Sequence, residues 1–230
     1  MRKWLLVSPK VQSDPRQIEP GLWEDKRRLM CNSERTGALF LDRDGVLNVD
    51  TGYVGDVTFL KVCLELAPLI RQANLNNMPV IIVTNQSGIG RGYYTWSDFD
   101  AVNQKIIHEF SKLGAQIDAV FACAYHAKAK PPYKFADHPW RKPSPGMLLR
   151  ASELYDIDLP KSLLIGDKPS DIEAARRAGL KKAIRLTDSL SIKDPLEVDN
   201  SGFEVTSHTL RGTDWGGFPL PVNELCKPNK

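Results

Sequence analysis

Asp42-Arg43-Asp44-Gly45 places two carboxylates two residues apart, just after a short apolar run and just before a glycine. Where the chain turns, both can reach one small volume. One carboxylate could attack an electrophile there while the other gives a proton to the leaving group. A calcium loop of the EF-hand kind wants glycine at its sixth position and glutamate at its twelfth. Counted from Asp42 those positions hold Leu47 and Tyr53, so calcium fits poorly and a solvated turn is the bland alternative. Thr84-Asn85-Gln86-Ser87-Gly88-Ile89-Gly90-Arg91-Gly92 joins a hydroxyl, glycines that expose backbone N–H groups, and a guanidinium. That set suits an oxyanion, phosphate above all. It lacks the residue order of a P-loop, and Gly88-x-Gly90-x-Gly92 has the wrong final spacing for a dinucleotide fingerprint. Arg141-Lys142-Pro143-Ser144-Pro145-Gly146 puts two cations at an expected helix start, where the dipole also favours anions. Gly166-Asp167-Lys168-Pro169-Ser170-Asp171 offers Asp167 as a ligand for a hard divalent cation, with Asp171 placed to cap the next helix.

These groups need a scaffold that gathers them. Ala38–Leu41, Pro79–Val83, Ile117–Cys123, Leu163–Ile165 and Ala183–Leu186 are apolar runs of strand length. Between them, Leu64, Ala67 and Ile70 share a helical face, and Phe99, Val102, Ile106, Phe110 and Leu113 follow steps of three and four. Thr95-x-x-Asp98 reads as a capping box for that second helix, and Gly114 ends it. Ser144-Pro145 supplies an N-cap and a first-turn proline for a helix to about Tyr155, and a short helix over Asp171–Ala178 stops at Gly179. Alternation of this kind predicts an α/β fold, a mainly parallel sheet with helices on both faces. Asp42, Thr84 and Asp167 each follow a strand, and carboxyl ends of strands are where such sheets do their work. The predicted division is an arm over residues 1–36, a core over 37–190 and a C-terminal segment over 191–230 packed on the core. Order is expected from Ala38 onward, with Phe218–Val222 as a further edge element.

The ordered set Asp42-x-Asp44-Gly, Thr84, Lys142 and Gly166-Asp167-x-x-x-Asp171 resembles the four motifs of the haloacid dehalogenase (HAD) superfamily of phosphatases, over roughly Ala38 to Leu186. The longer strings around these motifs are similar to the histidinol-phosphate and D-glycero-D-manno-heptose 1,7-bisphosphate phosphatase branch. The resemblance implies a Rossmann-like HAD fold with no large cap domain. It implies Asp42 as nucleophile, Asp44 as general acid and base, and Thr84 and Lys142 on the phosphoryl oxygens. Mg²⁺ would lie between Asp42, the Asp44 carbonyl and Asp167, and Asn48, Asn85, Gln86, Ser87, Arg91 and Arg141 would line the substrate pocket. That branch also carries a zinc loop, Cys-x-His then Cys-x-Cys. Here Tyr125 and Trp140 replace two ligands and His138 stands where a cysteine would be. Loss of zinc is the expectation, with an altered Zn²⁺ site of Cys123, His126 and His138 as the alternative.

The expected activity is hydrolysis of a small sugar phosphate, heptose 1,7-bisphosphate first and histidinol phosphate next. A polynucleotide 3′-phosphatase and a non-catalytic phosphate-binding module are the outer rivals. The second is disfavoured because binding a phosphate dianion gains nothing from two nearby carboxylates without metal chemistry. In a chain of 230 residues, 31 Lys+Arg against 28 Asp+Glu leave a charge of +3 with no run of five like charges. Nucleic acid is therefore not an expected partner. No apolar run approaches the ~18 residues of a membrane span, and the Met1–Val7 block is short for a signal peptide. Four cysteines without paired spacing imply no disulfide framework. A cytoplasmic monomer or weak dimer is expected.

Overall fold

The computed structural model describes residue 14 and residues 16–28, 35–187 and 197–221. Met1–Val7, Cys31, Cys226 and Val222 lie outside the described residues. Nine strands among those described form one sheet. In chain order the elements are β1 (Gln17–Glu19), β2 (Leu22–Lys26), β3 (Leu39–Leu41), α1 (Ala67–Leu75), β4 (Val80–Asn85), α2 (Ser87–Arg91), α3 (Trp96–Lys112) and β5 (Ala119–Cys123). They continue with α4 (Gly146–Tyr155), β6 (Leu163–Gly166), α5 (Pro169–Ala178), β7 (Lys182–Thr187), β8 (Glu197–Val198) and β9 (Glu204–Thr209). The spatial order is β1-β2-β5-β4-β3-β6-β7-β9-β8, and the six strands from β5 to β9 across the middle run parallel.

The parallel strands β3, β4, β5 and β6 are buried and largely apolar on both faces, as strands covered on both sides must be. Leu39 and Leu41 join the core under α1 and α3, with Leu69, Ile70, Phe99, Val102, Ile106 and Phe110. Phe40, between them, points the other way into the core under α4 and α5, with Met147, Leu148, Ala151, Ala174 and Ala175. The central strand β3 is thereby fixed in register, Phe40 opposite Ile81 on one side and Leu164 on the other, and Asp42 emerges at its carboxyl end. The Thr95 capping box forms as predicted, and Gly179 closes α5 in the left-handed conformation. No separate cap domain is inserted among the described residues.

Four local expectations are corrected. Strand order begins at Gln17 rather than at Ala38: β2 pairs antiparallel with β5, and β1 with β2. The charged residues of Leu-Trp-Glu-Asp-Lys mask this strand in the sequence. In the fold Trp23 is buried against Trp96 and Phe99, and Glu24 is buried but bonded to Arg150 at 2.9 Å. The further C-terminal strand is β9 beside β7, whereas 218–221 is not a strand. Pro145, not Ser144, takes the N-cap position of α4 and makes no side-chain cap. Ser87–Arg91 is a short helix in which Gly88 and Gly90 are buried, rather than a stretch whose glycines expose their backbone N–H groups.

Candidate active site

Asp42 ends β3 with its backbone N–H bonded to the Ile165 carbonyl at 2.9 Å, and its carboxylate is buried. Lys142 reaches it from the loop before α4. The ammonium donates to Asp42 Oδ1 at 2.9 Å and to the Val83 carbonyl at 2.7 Å, and it lies 2.7 Å from Asp171 Oδ1. Lys142 is only 3% exposed, so this charge is neutralised by design of the site rather than by water. Asn85 supports the reach. Its amide donates to the Lys142 carbonyl at 3.0 Å and accepts from the Lys142 N–H at 3.1 Å, which ties the loop to β4. Asp171 also accepts from the Lys168 N–H, the expected helix-capping bond, while its other oxygen faces Lys142.

Asp42, Asp167 and Asp171 bring carboxylate oxygens within 4.8 Å of one another, the one such group of three among the described residues. Asp167 Oδ1 is buried with no hydrogen-bond partner. Gly45, with φ 88°, passes so close that a Cβ there would come 2.4 Å from Asp167 Oδ2. A carboxylate with a spare buried oxygen beside a second one fits a hard divalent cation. Burial pushes Asp42 up to about 7 against the pull of Lys142, with Asp171 and Asp44 adding to the rise. Burial also raises Asp167. Both shifts are of the kind a bound cation reverses.

Asp44 is held differently. Arg43, wholly buried, donates to Oδ1 from Nε at 3.1 Å and from Nη2 at 2.9 Å. Asn48 Nδ2 adds a bond to Oδ1 at 3.1 Å, and Gln86 Nε2 one to Oδ2 at 2.8 Å. Burial alone would raise Asp44, but Arg43, Asn48 and Gln86 together bring it below the usual carboxylate range. Asn48 and Gln86, expected in the pocket lining, are therefore buried beneath Asp44 and act on it. Thr84 is buried at the end of β4, accepting from Gln86 Nε2 at 2.8 Å.

Arg91 and Arg141 form a cationic rim. Arg91 donates to the Tyr53 hydroxyl, and Arg141 donates to the Tyr125 carbonyl at 3.0 Å. Burial and the neighbouring Arg91 both lower Arg141, a setting that an anion would relieve. Ser87 is the first residue of α2, which Arg91 ends. A cavity of about 310 Å³ is lined by Asp167 together with Gly45, Asp50 and Cys63. Lys168 Nζ bonds Asp50 there at 2.9 Å and lies 3.6 Å from Asp167.

The alternative zinc ligands do not converge. Cys123, His126 and His138 form no group of three ligand atoms brought together among the described residues, and burial pushes the Cys123 thiol up to about 12. His126 Nδ1 accepts from the Lys128 N–H at 2.9 Å, and His138 Nδ1 from the Trp140 N–H at 3.1 Å. The His138 ring stacks on Tyr125 at 4.4 Å, with Phe135 edge-on. These residues do not fit a zinc site.

Arg43, Tyr53, Tyr94, Asp50 and Lys168 were not singled out in the sequence. Arg43 and Lys168 each flank a motif aspartate, which was a usable signal; the tyrosines carried none.

A parallel sheet with these strand-end groups is the architecture of the HAD-like phosphatases, and known proteins agree. A family model described as HAD-hydrolase-like matches residues 139–204. The D-glycero-β-D-manno-heptose-1,7-bisphosphate 7-phosphatase of Mesorhizobium japonicum is 45% identical over 162 residues, 70% of this chain and 75% of that protein. The D-glycero-α-D-manno-heptose-1,7-bisphosphate 7-phosphatase of Burkholderia mallei is 42% identical over 154 residues, 66% of this chain and 80% of that one. The crystal structure of a HAD-like phosphatase from Mesorhizobium loti superposes with a TM-score of 0.76 at 40% identity, covering 83% of this chain and 88% of that chain. The D,D-heptose 1,7-bisphosphate phosphatase of B. bronchiseptica, complexed with magnesium and phosphate, gives 0.57 at 28% identity over 65% of this chain and 80% of that one. The chain belongs to the HAD-like phosphatases, in the branch of the heptose-1,7-bisphosphate 7-phosphatases. It is a phosphoric monoester hydrolase.

Proposed function

We propose that this phosphatase is Mg²⁺-dependent and hydrolyses D-glycero-D-manno-heptose 1,7-bisphosphate through an aspartyl-phosphate. The observation that carries the reading is a buried ammonium 2.9 Å from Asp42, beside an Asp167 oxygen that lacks a partner. Phosphoryl transfer asks mainly for positioning and for positive charge around the transferring oxygens. Asp42, Asp167 and the Asp44 carbonyl would hold Mg²⁺, which when bound would neutralise phosphoryl oxygen charge and keep Asp42 ionised.

The Asp42 carboxylate attacks phosphorus, the bond from phosphorus to the sugar oxygen breaks, and Asp44 delivers a proton to that oxygen. In the second half Asp44 takes a proton from water as the water attacks phosphorus and releases Asp42. The donors around Asp44 favour its carboxylate, the form that this half needs. Thr84 and Lys142 hold the phosphoryl oxygens. A bisphosphate leaves one phosphate unreacted, and the Arg91–Arg141 rim is suited to clamp it. The named activities of the relatives in Mesorhizobium japonicum and Burkholderia mallei support the heptose substrate, one for each anomer.

Phosphate release should be measured with and without Mg²⁺ on both heptose bisphosphate anomers, histidinol phosphate and a 3′-phosphorylated oligonucleotide. Mg²⁺-dependent release with the highest kcat/KM on a heptose bisphosphate, leaving the 1-phosphate, is expected. Undiminished release in EDTA, or a higher kcat/KM on histidinol phosphate, would overturn the proposal.

A further inference from the structure

Both ends of the Gln86 side chain are committed. Its oxygen accepts from the Tyr94 hydroxyl and, at 3.2 Å, from Arg43 Nη2. Its nitrogen donates to Asp44 Oδ2 and to Thr84 Oγ1, each at 2.8 Å. Turned end for end, the amide would point its oxygen at the Asp44 carboxylate and its hydrogens at two donors. Two donors on the oxygen side therefore decide that the N–H end faces Asp44. Gln86 is 1% exposed, so water cannot easily take over either role.

Tyr94 owes its place to the chain around it. Gly92 closes α2 with φ 80°, and Thr95 caps α3, which leaves little freedom between them. The ring lies against Gly55 and Gly88, where an added Cβ would come within 2.5 and 2.3 Å of it. Glycine at both positions lets the hydroxyl reach Gln86. Burial pushes this hydroxyl above the usual phenol range, so it remains a donor.

We infer that Tyr94 is a positioning residue that, acting through Gln86, fixes the Asp44 carboxyl in the orientation from which it protonates the leaving oxygen. The inference rests on the acid–base role proposed for Asp44. Arg43 grips the same carboxylate directly, so loss of the Tyr94 hydroxyl loosens Asp44 without freeing it.

The test uses the leaving group. kcat/KM reports the steps up to its departure. A sugar alkoxide needs a proton to leave, whereas p-nitrophenolate leaves unaided. Tyr94→Phe keeps the ring and removes one hydrogen bond. It should lower kcat/KM for the heptose bisphosphate by about fivefold to thirtyfold. The change on p-nitrophenyl phosphate should stay under about twofold. In a Gln86→Met background, adding Tyr94→Phe should cost nothing more, because the one acts through the other. Equal losses on both substrates, or full additivity in the double variant, overturn the inference. Asp44→Asn serves as the reference and should show the same selectivity on a larger scale. If Asp44→Asn is selective and Tyr94→Phe is not, the positioning role alone falls. If Asp44→Asn loses both substrates alike, the acid–base reading falls with it.

Discussion

One buried ammonium organises the reactive carboxylates: Lys142 touches Asp42 and Asp171 at once and is itself anchored by Asn85. Asp42→Asn keeps this shape but removes the proposed nucleophile, so the purified variant should fold normally and show no phosphate release. Near-native turnover would exclude a covalent role for Asp42. Asp44→Asn should cost about 10²–10⁴ in rate on the sugar substrate, the scale of a lost general acid and base. On the proposed reading Arg141 serves the unreacted phosphate rather than the transferring group. Arg141→Ala should therefore lower kcat/KM for a bisphosphate while sparing p-nitrophenyl phosphate, and equal losses would place it at the reacting phosphoryl group instead. Asp42, Asp44 and Asp167 were singled out in the sequence because their residue type and their places after apolar runs both speak for chemistry, and Lys142 because it stands at an expected helix start within a resembling motif. The inward turn of Asn48 and Gln86 was not, since spacing says that a polar side chain is near Asp44 without saying which face of it is solvated.

At the scale of elements, β3 to β6 were readable because each is largely apolar on both faces, and the capping box of α3 because Thr95 and Asp98 stand at the right interval; β9, half-buried and polar, was not. β2 was hidden by its charges, which burial tolerates only because Glu24 meets Arg150 and Lys26. This strand is part of the core. Trp23 is 1% exposed and stacks on Trp96 with centroids 5.4 Å apart. Trp23→Ala should lower unfolding free energy by about 3–5 kcal/mol, the usual cost of emptying so large a site. A denaturation midpoint within error of the parent would mean that β2 contributes little to the sheet. α2 was not read as a helix, because exposed backbone N–H groups were expected of its glycines. They serve instead to let Tyr94 and the Ala124 carbonyl approach, which no pattern in one segment can reveal.

Across the whole molecule, the sheet brings motifs more than a hundred residues apart to one edge, and aromatic packing holds the loop that leads to Arg141 and Lys142. Tyr125, His138 and Phe135 stack where an altered metal site was the alternative. The protein purified without chelator should carry well under one zinc per chain, by elemental analysis. Stoichiometric zinc, or a melting temperature that falls on stripping and recovers with Zn²⁺ alone, would contradict this packing. Within the described residues no helix is long and apolar enough to cross a membrane. The proposed aspartyl-phosphate would tie residue, element and sheet into one mechanism, and it can be caught directly. Enzyme turning over heptose bisphosphate with Mg²⁺ should be quenched, reduced with borohydride and digested for mass spectrometry. Conversion of Asp42 to homoserine, absent without substrate, is the predicted result; an unmodified Asp42 with the reduction product at another residue would contradict it.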